Sequence, residues 1–68
     1  MSRPAAIQVV YSVEVDSLIV EALTVNESHE YRILKDGRVF IQTDNGYGQP
    51  GIALRDGLIK ATDPLWIF

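Results

Sequence analysis

The sequence predicts a small all-β domain, an antiparallel meander or barrel of about five to six strands. The prediction depends on three turn dipeptides, Asp36-Gly37, Asn45-Gly46 and Asp56-Gly57. Aspartate or asparagine before glycine suits the tight hairpin turns that need positive φ at both central positions. The dipeptides are 9 and 11 residues apart, a spacing typical of short strands joined by turns.

The length and composition indicate one globular domain over residues 1–68, with residues 1–5 expected to be loosely ordered. The chain has 68 residues, of which 47% are hydrophobic and 22% charged. A chain this short buries only ~60% of the surface that its unfolded form exposes. It contains no cysteine, so its stability must come from tight packing, a metal or self-association.

The first predicted hairpin is built from residues 7–15 and 18–25. Every odd position from 7 to 15 is apolar, whereas the even positions are mostly polar, which is the alternation of a half-buried strand. A turn at Asp16-Ser17 would return the chain. The predicted cross-strand pairs are Val15 with Leu18, Val13 with Val20, and Tyr11 with Ala22.

An alternative remains open for residues 17–25. Asp16 is a good N-cap residue for a short helix, and Leu18, Ile19, Ala22 and Leu23 would share one helical face. The domain would then be α+β. The β-branched residues in this stretch favour the strand instead.

The second predicted hairpin turns at Asp36-Gly37. A two-residue loop there places Tyr31, Ile33 and Phe40 on one face of the sheet. The predicted pairs are Lys35 with Arg38, Leu34 with Val39, Ile33 with Phe40, and Tyr31 with Gln42.

A third hairpin is predicted at Asp56-Gly57, after a glycine-rich loop over residues 46–51 with Tyr47 at its exposed centre. Leu54 would face Ile59, and Ile52 would face Ala61. The predicted core contains Val9, Tyr11, Val13, Val20, Ile33, Phe40, Ile41, Ile52, Leu54 and Ile59.

The residue types argue against an enzyme, a metal site or a bound cofactor. One histidine and no cysteine exclude a multi-His or Cys/His zinc site. Ser28-His29-Glu30 has the residue types of a catalytic triad, but neighbours on a strand point to opposite faces. Gly46, Gly48 and Gly51 have the spacing of a dinucleotide loop, but Pro50 removes a donor and no helix pattern is seen after it.

Charge and hydropathy limit the class of partner. The net charge is −3 and the six basic residues are scattered, so we expect no nucleic-acid binding, which needs clustered Lys and Arg. No apolar run approaches the ~20 residues that span a bilayer. We therefore expect no membrane contact and a cytoplasmic location.

The surplus of apolar residues leads to the functional prediction. One small core cannot cover the apolar residues of the first hairpin and of the last four positions, and large exposed apolar patches mark contact sites. We expect a non-enzymatic interaction protein that forms a homo-oligomer, a dimer, or binds a partner protein. The predicted interaction residues are Ile19, Leu23, Tyr47, Leu65, Trp66 and Phe68.

A second hypothesis is a small ligand-binding module. Tyr31 and Phe40 would form a stacking platform for bases or sugars on one sheet face. Lys35 and Arg38 at the hairpin tip would supply positive charge beside it.

Overall fold

A computed structural model of the protein describes residues 6–44 and 46–63. Four strands form one antiparallel sheet in the order β1-β2-β3-β4, followed by a single helix in this part of the chain. The elements are β1 (Ile7–Val15), β2 (Leu18–Val25), β3 (Ser28–Lys35), β4 (Arg38–Gln42) and α1 (Pro50–Ala61). The predicted antiparallel meander is confirmed, with four strands and a helix in the described ranges. Residues 1–5, predicted to be loosely ordered, lie outside those ranges.

The first hairpin has the predicted turn and register. Val15 pairs with Leu18, and the pairs of Val13 with Val20 and of Tyr11 with Ala22 follow. Asp16 and Ser17 have φ angles of 48° and 71°, as a type I′ turn requires. Residues 18–25 are therefore a strand, and the helical alternative for this stretch is not adopted.

The third and fourth strands join at the predicted turn, but their register then shifts. Lys35 pairs with Arg38, and Leu34 with Val39. Beyond these pairs Ile33 lies opposite Ile41, so Phe40 is the extra residue of a β-bulge. The predicted pairs of Ile33 with Phe40 and of Tyr31 with Gln42 are wrong for this reason.

Helix α1 replaces the predicted third hairpin. Asp56-Gly57 lies inside the helix, which begins with Pro50 at its first turn, a position that favours proline. Its buried residues are Ala53, Gly57 and Ala61. Their spacing of four residues places them on one face, so α1 contacts the sheet through a stripe of small side chains.

The core lies between α1 and one face of the sheet. The helix packs mainly on β2 and β3 and only slightly on β1. The buried cluster contains Leu18, Val20, Tyr31, Ile33, Ala53 and Ala61, with Ile41, Tyr47, Leu54 and Leu58 packed against it.

Half of the predicted core residues are exposed. Val20 and Ile33 are fully buried, and Val13, Ile41 and Leu54 are half-buried. The exposed members are Val9, Tyr11, Phe40, Ile52 and Ile59. Val9 and Tyr11 lie on β1, which α1 barely reaches. The bulge displaces Phe40, and Ile52 and Ile59 lie on exposed parts of α1.

Candidate functional site

Within residues 6–44 and 46–63, the largest group of exposed apolar side chains lies on the first half of β1. Ile7, Val9, Val10 and Tyr11 are each 40–49% exposed. They are exposed because α1 touches β1 only slightly on one face of the sheet, and no helix of the described residues covers the other face. A group of exposed apolar side chains on the surface of a small domain is a candidate contact site.

β1 is also an edge strand of the sheet. Among the described residues it pairs with β2 alone, so backbone N–H and C=O groups along its other side face no strand of residues 6–44 or 46–63. Proteins usually protect such edges with lysine, proline or short strand length. β1 is nine residues long and contains neither lysine nor proline.

The opposite edge of the sheet, β4, differs from β1 in length and in charge. β4 has only five residues and begins with Arg38, and Lys35 lies directly opposite that arginine. Short length and positive charge both discourage pairing with another strand. The two edges of the sheet are therefore unequal: in the part of the chain that the structure describes, β1 is the longer edge and lacks lysine, arginine and proline.

A second β-bulge divides the apolar run of β1. Val9 pairs with Leu23, and Tyr11 pairs with Ala22, so Val10 has no partner of its own on β2. Adjacent residues of β2 point to opposite faces. The bulge therefore places Val9 on the face opposite α1 and Tyr11 on the face that carries α1, so apolar side chains border the edge on both faces.

Of the six predicted interaction residues, the structure describes Ile19, Leu23 and Tyr47. Leu23 has no exposed area, so it cannot contribute to an exposed contact surface, and Ile19 is half-buried. Leu23 lies opposite Glu30 of β3, which is also buried. Leu65, Trp66 and Phe68 lie outside the described residues.

Tyr47 was predicted at the exposed centre of a loop, but it is half-buried and packs against the core cluster. Its backbone N–H donates a 2.8 Å hydrogen bond to the carbonyl of His29. Its ring centroid lies 6.2 Å from that of Tyr31. These contacts attach the loop to β3, so the loop is not a free binding element.

The hairpin between β3 and β4 forms an open pocket at its tip. The pocket has a volume of about 480 Å³ and is lined by Lys35, Asp36, Arg38, Val39 and Phe40. The Lys35 Nζ atom lies 5.8 Å from the centroid of the Phe40 ring, within the range of a cation–π contact.

Tyr31 does not belong to that pocket. It is 7% exposed, whereas Phe40 is 56% exposed, because Tyr31 is in the core beneath α1 and the bulge takes Phe40 out of register. Burial, and then the neighbouring Tyr47 and Asp56, raise the pKa of the Tyr31 hydroxyl. The two rings therefore do not form the exposed stacking platform that the sequence suggested.

An ion pair joins β2 and β3 on the sheet face opposite α1. Arg32 donates from Nε to Glu21 Oε1 at 2.8 Å, and its Nη2 atom lies 2.6 Å from the same oxygen. The two residues face each other across β2 and β3. The ion pair therefore bridges the two central strands of the sheet.

The residue types considered for catalysis and metal binding are dispersed. His29 Nδ1 lies 3.1 Å from Thr24 Oγ1, its cross-strand neighbour. No group of three or more potential metal ligands occurs within residues 6–44 and 46–63. In the same residues no helix is long and apolar enough to cross a membrane.

The glycine-rich segment 46–51 does lead into a helix, contrary to the sequence-based expectation. The helix starts at Pro50, whose missing N–H removes one donor from its first turn. The preceding strand belongs to an antiparallel meander, not to the parallel βαβ unit of a dinucleotide site. The resemblance to that fingerprint is therefore limited to spacing.

Comparisons with known proteins add no further assignment to this geometry. No protein-family model, no curated protein and no solved structure matches the chain.

Proposed function

We propose that this protein is a non-enzymatic interaction protein that self-associates through β1. Two copies would pair their β1 edges in antiparallel fashion and join two four-stranded sheets into one. The observation that supports this proposal is the long, exposed, apolar edge over residues 7–11. Strand addition of this kind gains main-chain hydrogen bonds, and flanking side chains provide the specificity.

A second copy is the best occupant because the edge is compatible with itself. Residues 7–13 contain no charged side chain, so two antiparallel β1 strands bring no like charges together over this stretch. An isologous dimer needs such self-complementarity. The small size of the domain adds a driving force, since a 68-residue chain has a marginal core and gains stability from further burial.

The proposal includes no catalytic residue, no metal and no cofactor. We place the protein in the cytoplasm, a setting consistent with the lack of cysteine, since cytosolic proteins seldom depend on disulfides. A partner protein with a free β-strand could use the same edge. A chain that is monomeric at every concentration would exclude a second copy as the occupant of this edge.

The test is absolute mass in solution, measured by size-exclusion chromatography with light scattering over a concentration series. We expect a monomer–dimer equilibrium for the native chain. Val9→Lys should shift it to monomer, because lysine on an edge opposes strand pairing. Ile59→Lys is the matched control, since Ile59 is 61% exposed and belongs to α1, not to β1, and it should leave the equilibrium unchanged.

Amide hydrogen exchange locates the contact independently of the variants. Outward-facing amides of β1 should become protected as the concentration rises, whereas those of β4 should not. A chain that stays monomeric at every concentration would contradict self-association, and so would equal effects of Val9→Lys and Ile59→Lys.

A further inference from the structure

We infer that the tip of the β3–β4 hairpin binds a small aromatic carboxylate. The site is the pocket lined by Lys35, Asp36, Arg38, Val39 and Phe40. It lies on the edge opposite β1 and does not depend on self-association. Three features of the hairpin support the inference: two adjacent cations, a displaced aromatic ring and an open pocket with room for the ligand.

The first feature is a like-charge pair. Lys35 and Arg38 lie directly opposite each other across the turn, an arrangement that is destabilising between neighbouring strands. Elsewhere in the described chain, Arg32 and Arg55 each lie within 4 Å of a carboxylate. No such partner is found for Lys35 or Arg38 among residues 6–44 and 46–63. An anion bound between them would relieve their repulsion.

The second feature is the placement of Phe40. Regular pairing would set Phe40 opposite Ile33, but the bulge gives that position to Ile41 and leaves Phe40 56% exposed. Bulges commonly re-aim side chains at functional sites. Here the bulge brings an aromatic ring within 5.8 Å of the Lys35 ammonium group, so an apolar surface and a cation are adjacent.

The charge of the pocket indicates the charge of the ligand. Lys35 and Arg38 contribute two positive charges and Asp36 one negative charge, which leaves one positive charge in excess. A single carboxylate matches this excess, and its planar geometry suits the guanidinium group of Arg38. The ring of the ligand would pack on Val39 and Phe40. The open pocket has a volume of about 480 Å³, which is more than a single ring and a carboxylate occupy.

The test is an NMR titration of the full-length protein with benzoate at constant ionic strength, following the backbone amides. We expect saturable shifts confined to the β3–β4 hairpin. Benzamide keeps the ring without the charge, and acetate keeps the charge without the ring, so both should bind more weakly than benzoate. Lys35→Gln and Arg38→Gln should each weaken benzoate binding about two- to five-fold, which is the effect of one exposed ion pair.

Matched variants separate a built site from general electrostatic attraction. Arg55→Gln removes a cation from α1, outside the pocket, and should leave benzoate affinity unchanged. Phe40→Ala should abolish the preference for benzoate over acetate. All four variants change exposed side chains, and the dispersion of each free spectrum shows that the fold is intact.

Three results would overturn the inference. One is a linear response to benzoate without saturation at the hairpin amides. Another is equal binding of benzoate and benzamide by the native chain. The third is a loss of affinity in Arg55→Gln as large as that in Arg38→Gln, because the attraction would then be unrelated to the pocket.

Discussion

Gly57 of α1 lies directly against Val20 of β2. A β-carbon at position 57 would stand 2.7 Å from Val20 Cγ1 and 3.1 Å from Tyr31 Cγ. The missing side chain therefore allows the helix to approach the sheet closely. Glycine inside a helix costs ~0.5–1 kcal/mol relative to alanine, and at this position the close contact with the sheet offsets that cost.

Gly57→Ala should destabilise the protein, although alanine is the better helix former. The added methyl group overpacks the contact with Val20, and overpacking of a core typically costs ~1–3 kcal/mol. This exceeds the gain of ~1 kcal/mol in helix propensity. We expect a lower urea midpoint with an unchanged slope, measured by circular dichroism.

Two further variants test whether overpacking against Val20 causes the loss of stability in Gly57→Ala. Gly51 lies in the first turn of α1, where a β-carbon would meet no heavy atom within 4 Å, so Gly51→Ala should be neutral or stabilising. Adding Val20→Ala to Gly57→Ala should cost less than the sum of the two single changes, because the smaller residue makes room. Strict additivity would contradict the packing explanation.

The same contact explains why sequence reasoning missed the helix. The buried face of α1 consists of Ala53, Gly57 and Ala61, which give little hydrophobic signal. Asp56-Gly57 has the composition of a hairpin turn, and the larger apolar side chains of Ile52 and Ile59 are exposed. The helix is stabilised by a close tertiary contact that no local pattern displays.

The β1–β2 and β3–β4 turns could be predicted because their signals are local. Asp16-Ser17 and Asp36-Gly37 adopt the positive φ angles that their turns require, and the pairing next to each turn follows from loop length. The bulge at Phe40 could not be predicted, since nothing in the alternation of β4 marks an extra residue. The hairpin pocket and the loss of the Tyr31–Phe40 platform both follow from that bulge.

The turn between β1 and β2 contains a residue in an unfavourable backbone conformation. Ser17 has a φ angle of 71°, close to the 76° of Gly37 in the β3–β4 turn. A non-glycine residue in this region costs on the order of 1 kcal/mol. Ser17→Gly should therefore raise the free energy of unfolding by up to ~1 kcal/mol, measured by thermal and urea denaturation.

Ser12→Gly is the matched control for this substitution. Ser12 is exposed in the middle of β1, where glycine weakens a strand. The control should lower the free energy of unfolding, whereas Ser17→Gly should raise it. Equal destabilisation by both changes would show that the turn geometry does not favour glycine at position 17.

The hydroxyl group of Thr43 continues the hydrogen bonding of β3 beyond the end of β4. The Tyr31 N–H group donates to Thr43 Oγ1 at 3.2 Å, and the Thr43 N–H group donates to the Tyr31 carbonyl at 3.0 Å. Thr43→Val keeps the shape of the side chain but leaves the Tyr31 N–H without this acceptor. An unsatisfied buried donor costs ~1–3 kcal/mol, so the unfolding midpoint should fall.

Thr62→Val provides the comparison for Thr43→Val. The Thr62 hydroxyl donates to the Leu58 carbonyl at 2.8 Å in an exposed position, where water can replace it. Its loss should have a smaller effect on stability than the loss of the Thr43 hydroxyl. If the two variants lose equal stability, burial does not determine how much these hydrogen bonds contribute to the free energy of unfolding.

The buried position of Tyr31 predicts a loss of stability at alkaline pH. Burial beneath α1, with smaller contributions from Tyr47 and Asp56, raises the pKa of the Tyr31 hydroxyl above its usual value of 10.0. The folded chain therefore keeps this proton at pH values where the unfolded chain releases it. The resulting stability is fully present below pH 10 and is lost as pH rises through the folded-state pKa.

Tyr31→Phe isolates this effect, because phenylalanine does not titrate. The measurement is urea unfolding of both proteins from pH 8 to well above pH 10, the usual phenol pKa. The difference in unfolding free energy should be constant below pH 10 and should then change in favour of the phenylalanine variant. A difference that stays constant over the whole range would mean that Tyr31 titrates alike in both states, and that its hydroxyl reaches solvent despite the helix above it.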